Sequence, residues 1–174
     1  IASDIKDDGI LEELAKEMAK EGMIDEALEI ARGIEDRYDR SYRSEALAEV
    51  CTALAERGMV DKALEVVRGI EDRFLHSDAL VEACRILAEK EMVEGALEIA
   101  GGIEDEYDRS EALVEICKIL TKKGMVEEAL EVTRGIEGMY SRSEALTEVS
   151  KVLAEKGMIN EALGIARGIE DKSN

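Results

Sequence analysis

Between residues 46 and 54 the apolar side chains fall at Ala46, Leu47, Val50, Cys51 and Leu54, offsets of 0, 1, 4, 5 and 8 that gather on one face of an α-helix. A second run follows at Val60, Ala63, Leu64, Val67 and Ile70, offsets of 0, 3, 4, 7 and 10, again with the helical period. Gly58 stands between the two runs, where a helix C-terminus favours a residue that tolerates the left-handed conformation. The stretch therefore predicts a helix, a tight turn and a second helix. The same pattern recurs along the chain. Gly22-Met23, Gly58-Met59, Glu91-Met92, Gly124-Met125 and Gly157-Met158 follow one another at intervals of 36, 33, 33 and 33 residues, and each precedes a variant of the run that ends in Ala-Leu. Ser-Glu-Ala-Leu lies upstream, as at 44–47, and Arg-Gly-Ile-Glu-Asp downstream, as at 68–72. One such hairpin cannot bury two apolar faces alone, so neighbouring units must stack. Strand patterning is missing throughout. The expected architecture is an all-α solenoid of five hairpins and ten helices in a single repeat domain, 1–174, with repeats near 8–40, 44–76, 77–109, 110–142 and 143–174.

Other positions recur in step with the hairpins. Ser44, Ser77, Ser110 and Ser143 precede the first apolar residue of each first helix and read as N-caps. Glu45, Asp78, Glu111 and Glu144 follow them at the positive end of the helix dipole. Tyr38, Phe74, Tyr107 and Tyr140 each stand three residues after a Glu of the downstream motif and read as anchors packed in the seam between hairpins. The repeat is broken twice. Three extra residues around 38–43 lengthen the first connection, and the third unit carries Glu91 in place of the turn glycine. Gly95, Gly101 and Gly102 then fall in or beside its second helix, so residues 93–103 are expected to be the softest helix.

The second unit, Leu47-x2-Val50-Cys51-x2-Leu54 followed by Ala63-x3-Val67 and with Gly58 at the turn, resembles the tetratricopeptide repeat (TPR). Later units repeat the positions as Leu80, Ala83, Cys84, Leu87, Ala96 and Ala100, then Leu113, Ile116, Cys117, Leu120, Ala129 and Thr133, then Leu146, Val149, Ser150, Leu153, Ala162 and Ala166. The first unit matches with Leu11, Leu14, Ala15, Met18, Ala27 and Ala31. The resemblance spans about residues 8–170 and departs from the family in three ways: aliphatic residues replace its large aromatics, the unit is one residue short, and the terminating Pro is missing from a chain with no Pro. It implies a right-handed superhelix whose first helices line a concave, peptide-binding groove. The family's carboxylate clamp of Lys and Asn side chains looks absent, because Ala48, Val81, Val114 and Thr147 and a row of Glu occupy those positions.

Composition narrows the partner. The chain has 42 Asp plus Glu against 23 Lys plus Arg, a net charge of -19, which disfavours nucleic acid and anionic membrane surfaces because phosphate neutralisation needs clustered cations. With 45% hydrophobic residues the chain has enough apolar material for a core. No apolar stretch is long enough to span a bilayer and no leader precedes the first unit, so the chain reads as soluble and cytoplasmic. A first residue of Ile reads as a trimmed chain or a piece of something longer; a designed repeat is the other reading, against which the insertion and Glu91 look like natural drift. The absence of Gln and a charged fraction of 37% resemble heat-adapted proteins.

Candidate chemistry is sparse. Cys51, Cys84 and Cys117 occupy one small-residue slot in successive first helices, filled by Ala15 and Ser150 in the outer units. Helix axes about 8–10 Å apart keep such thiols beyond disulfide or shared-metal range. His76 is the single histidine, with no nucleophile or second ligand beside it in sequence. We therefore expect no enzyme, no cofactor and no metal site. What remains is a ladder: Glu13, Glu49, Glu82, Glu115 and Glu148 recur at one offset, followed three residues later by Lys16, Thr52, Arg85, Lys118 and Lys151. As i,i+3 pairs they steady single helices. As a groove they suit a basic or mixed-charge peptide or helix, with Glu49, Glu82, Glu115, Glu148, Arg85, Lys118 and Lys151 as candidate contacts on a protein-interaction scaffold. The alternative is a structural module that self-assembles through its repeat ends, where Leu163, Ile165, Ala166 and Ile169 have no capping helix after them.

Overall fold

The computed structural model describes residues 7–35 and 41–170, with side chains to 167. Among the described residues it contains ten α-helices and no strand: α1 (Asp8–Lys20), α2 (Ile24–Gly33), α3 (Tyr42–Glu56), α4 (Val60–Val67), α5 (Arg73–Glu89), α6 (Val93–Gly101), α7 (Glu106–Lys123), α8 (Val126–Gly135), α9 (Met139–Glu155) and α10 (Ile159–Glu170). The helical-repeat organisation expected from the five-fold pattern is present. The chain forms two compact units, Ile1–Leu87 and Ala88–Asn174, whose boundary falls within α5. In the first, α1 packs on α2 and α3, and α3 on α2 and α4. In the second, α7 packs on α6, α8 and α9, and α9 on α8 and α10.

Small residues allow these close approaches. Ala15, Ala19, Ala27 and Ala31 are fully buried between the helices of the first hairpin, and Cys51 and Ala63 do the same in the second. In the second unit Ile99, Ile116, Leu120, Val149 and Leu153 supply the bulk. Each fully buried Leu or Ile contributes about 2–3 kcal/mol of transfer free energy.

The turn within each hairpin is built the same way. Gly22, Gly58, Gly124 and Gly157 adopt φ of +88°, +69°, +89° and +80°, the left-handed region. The following Met N–H reaches back to the first helix, as in Met59 to Leu54 O (3.0 Å) and Met125 to Leu120 O (2.9 Å), while the glycine N–H bonds Ala55 O and Thr121 O. This is the Schellman closure, which satisfies carbonyls that would otherwise be orphaned. Glu91 takes the same conformation at φ 63° with a side chain present. Its N–H donates to Ala88 O at 3.0 Å.

Two expectations are corrected. The repeat serines are not N-caps: α3, α5, α7 and α9 begin before them, at Tyr42, Arg73, Glu106 and Met139. The cap of α5 and α7 is the Asp of the downstream motif. Asp105 Oδ1 accepts from Tyr107 N (2.9 Å) and Asp108 N (3.1 Å), and Asp72 Oδ1 accepts from Phe74 N and Leu75 N, both at 3.0 Å. Asp7 caps α1 in the same manner. Ser44, in the first turn of α3, is buried and accepts from the Asp72 N–H at 3.3 Å, so it serves the connection after its own hairpin.

The aromatic anchors fail as well. Phe74, Tyr107 and Tyr140 are 84%, 73% and 86% exposed, and Tyr38 lies outside the described residues. Two residues past the cap, these rings stand at the lip of each helix. The large buried residue of each connection is instead the Ile of the downstream motif: Ile34, Ile70, Ile103 and Ile136 are all buried.

Candidate interaction surface

The carboxylate ladder lies on the odd-numbered helices. In the first unit Glu49 of α3 and Glu82 of α5 are half-buried, while Glu13 of α1 is exposed. The i,i+3 pairing expected from sequence forms at Glu82, whose Oε2 accepts from Arg85 Nε at 2.8 Å. Elsewhere the lysines reach across helices. Lys16 bonds Glu12 one turn back on α1 and Glu45 Oε2 on α3 at 3.2 Å. Ser41 Oγ donates to the other oxygen of Glu45 at 2.9 Å. Lys20 approaches Glu49 at 3.9 Å.

This small ionic cluster carries opposing titration shifts. Burial pushes the Glu12 carboxyl above its ordinary value, and the Lys16 ammonium only partly offsets that push. Burial acts on Glu45 in the same sense, but hydrogen bonds with Glu12, Ser41 and Lys16 outweigh it and hold the group low. On Lys16, burial pulls down while Glu12 and Glu45 together raise the ammonium above its usual value.

In the second unit Lys118 Nζ on α7 bonds Glu144 Oε1 on α9 at 3.0 Å. Burial lowers this ammonium, yet the bond to Glu144 and the fields of Glu144, Glu115 and Glu148 raise it more. Lys118 thus sits among three carboxylates, two of them from the ladder. Lys151 of α9 is exposed. The cross-helix bonds were missed in sequence because fixed spacing displays only partners on the same helix. Their signal is the coincidence of two registers, Lys16 and Lys118 in one and Glu45 and Glu144 in the other.

One register position breaks the series. Thr52 stands where the other repeats carry Lys or Arg, and around it a recess of about 320 Å³ opens on α1, α3 and α5. Glu49, Asp78 and Glu82 line it beside Thr52, together with the Lys16–Glu45 ion pair, and Ala48, Leu75 and Ala79 give it apolar surface. A larger recess of about 590 Å³ in the second unit is lined by Leu130, Leu153, Met158 and Ile165 together with Gly164 of α10.

The remaining candidates take structural places. Cys51, Cys84 and Cys117 are buried thiols, pushed by burial up to about 12, about 12 and about 11. Cys51 Sγ faces Ala63 O at 3.8 Å and Cys117 Sγ faces Ala129 O at 3.5 Å, so these two thiols fill the gap to the second helix of their hairpins. His76 is half-exposed in the first turn of α5. At its register Arg43 and Arg109 instead pair with Glu71 (2.8 Å) and Glu137 (3.4 Å). Among the described residues no three His, Cys, Asp or Glu side chains converge as metal ligands, and no helix is long and apolar enough to cross a membrane.

No family model and no curated protein matches the chain. Among solved structures it is similar to a Podosopora anserina chain assigned as a kinesin light chain, of nearly identical TPR-like repeats, at 18% identity over 98% of this chain and 99% of that one, with a TM-score of 0.41. A single-residue variant of the same protein is similar at 17% identity over 92% of each chain, with a TM-score of 0.40.

Proposed function

We propose that the protein is a non-enzymatic interaction scaffold that holds basic or mixed-charge protein segments on the exposed faces of its odd-numbered helices. One observation carries the reading: these faces keep a half-buried carboxylate at a fixed register in both units, at Glu49 and Glu82 and again at Glu115 and Glu148. Half-buried carboxylates on rigid helices focus a negative field and are already partly desolvated. The test is binding of a short acetylated and amidated peptide alternating Lys and Ala, against a Glu and Ala control, followed by amide chemical shifts. Charge reversal of Glu82, Glu115 and Glu148 to Lys should abolish the preference for the basic peptide and its decline with added salt. Unchanged binding by the reversed variant overturns the proposal.

A second reading, self-assembly through the α10 end, has its own support. Ile159 and Leu163 are 51% and 49% exposed, and Ala166 is exposed where its equivalents Ala31, Val67, Ala100 and Thr133 are buried. The side chain of Ile169 lies outside the described residues. Light scattering over a concentration series tests this: mass that grows with concentration in the wild type and not in Leu163→Glu supports it, and a constant monomer mass rejects it.

A further inference from the structure

The recess at Thr52 is the lysine slot of the second unit without its lysine. Around Lys118 stand Glu144, with its hydrogen bond, and Glu115 and Glu148, with their fields. Shifted by two repeats, 66 residues, these four positions are Thr52, Asp78, Glu49 and Glu82. All four line the recess. The first hairpin offers a second filled copy, in which Lys16 bonds Glu45, the register equivalent of Asp78. Twice, then, the molecule seats an ammonium at this place in its own repeat, and once it opens a cavity there.

We propose that this slot takes a lysine side chain from the bound partner. The inference rests on the scaffold reading and adds the anchor residue and its seat. The ammonium enters between Glu49, Asp78 and Glu82, and its methylene stem lies over Leu75 and the methyls of Ala48 and Ala79, which also line the recess. Charge balance favours this occupant. Lys16, which also lines the recess, is held by Glu12 and Glu45; Arg85 bonds Glu82, Lys20 reaches Glu49 only at 3.9 Å, and among the described residues Asp78 has no ion-pair partner. A divalent cation does not fit, because no three of these carboxylates converge to ligating distance. A protein-borne ammonium needs no such convergence; the Lys118 site works with one direct bond and two neighbours at longer range.

The experiment is self-occupation of the slot. Thr52→Lys supplies the missing side chain from within, while Thr52→Val keeps the shape without charge. The probe is the Lys and Ala peptide, with its fully Nζ-acetylated form as the neutral control. Thr52→Lys should weaken peptide binding by about tenfold, ~1.4 kcal/mol, and raise the thermal midpoint. Thr52→Val should bind within about twofold of wild type, and acetylation should remove the shifts at residues 48–52 and 78–82. Wild-type affinity in Thr52→Lys, or equal binding of the acetylated peptide, overturns the proposal. If Thr52→Lys binds normally while the Glu82, Glu115 and Glu148 reversal does not, the slot is wrong and the scaffold reading stands. If the reversal also binds normally, the scaffold reading falls with it.

Discussion

Glu91 holds a backbone conformation that the other four hairpin turns give to glycine. A left-handed residue with a Cβ costs about 1–2 kcal/mol, and the ion pair of Glu91 with Lys123 at 3.1 Å returns only a few tenths because Glu91 is exposed. Glu91→Gly should therefore stabilise the protein by about 1 kcal/mol and raise the thermal midpoint by roughly 2–4 °C; a fall in midpoint on differential scanning calorimetry would show that the pair outweighs the strain. The cysteines make the second residue-scale case. Buried and held as neutral thiols, Cys51, Cys84 and Cys117 should react with an aromatic disulfide reagent at pH 8 only as fast as the protein opens, and at once in strong denaturant. Immediate reaction of all three in native buffer would contradict their burial. Their slot was legible in sequence because Ala15 and Ser150 share it: a position that accepts Ala, Cys and Ser is selecting for size.

At the scale of the element, the helices were legible and their starting points were not. The 3.6-residue period and the left-handed turn residues each repeat five times, so both survive single exceptions such as Glu91. Ser followed by Glu also satisfies the signature of a helix start, and sequence alone does not say that an earlier Asp takes the cap. Asp105→Ala should cost about 1 kcal/mol by chemical denaturation, whereas Gly138→Asp, which restores the repeat's capping residue at an N-cap with no side-chain bond, should gain a few tenths. The aromatic rings were misread for a related reason. The Ile two residues before the cap is buried, while the ring two residues after it stays in solvent. Helix α6 combines a strained start at Glu91 with Gly95 and Gly101, and its buried residues are Ala96, Ile99 and Ala100. Its amide protons should exchange about tenfold faster than those of α8; equal protection would show that tertiary packing dominates propensity.

For the molecule as a whole, the net charge of -19 understates how locally the charges are arranged. Lysines are stitched between carboxylates of successive hairpins, and the exception at Thr52 stands out only once that stitching is seen in three dimensions. Sequence spacing had assigned the same lysines to their own helices. The pH dependence belongs at this scale. Each thiol is raised from 9.0 in the unfolded chain to about 11 or 12 when folded. The folded state therefore binds more protons above pH 9, and stability falls as pH rises through that window. At about 1.4 kcal/mol per unit, three thiols together withdraw on the order of 6–8 kcal/mol by pH 11. Lys16 and Lys118, also raised, add a loss that begins above their ordinary 10.5. The wild type should unfold between about pH 10 and 11.5 by far-ultraviolet circular dichroism, and a variant with Ala at all three cysteines should hold its helices to higher pH; coincident transitions would refute the thiol assignment. The exposed rings at the helix lips bear on how any of these transitions is seen. With no Trp in the chain, and Tyr107 and Tyr140 already in water when folded, much of its near-ultraviolet absorption and emission comes from side chains whose surroundings unfolding hardly alters. A titration followed only by tyrosine light would register a nearly silent molecule while ten helices came apart.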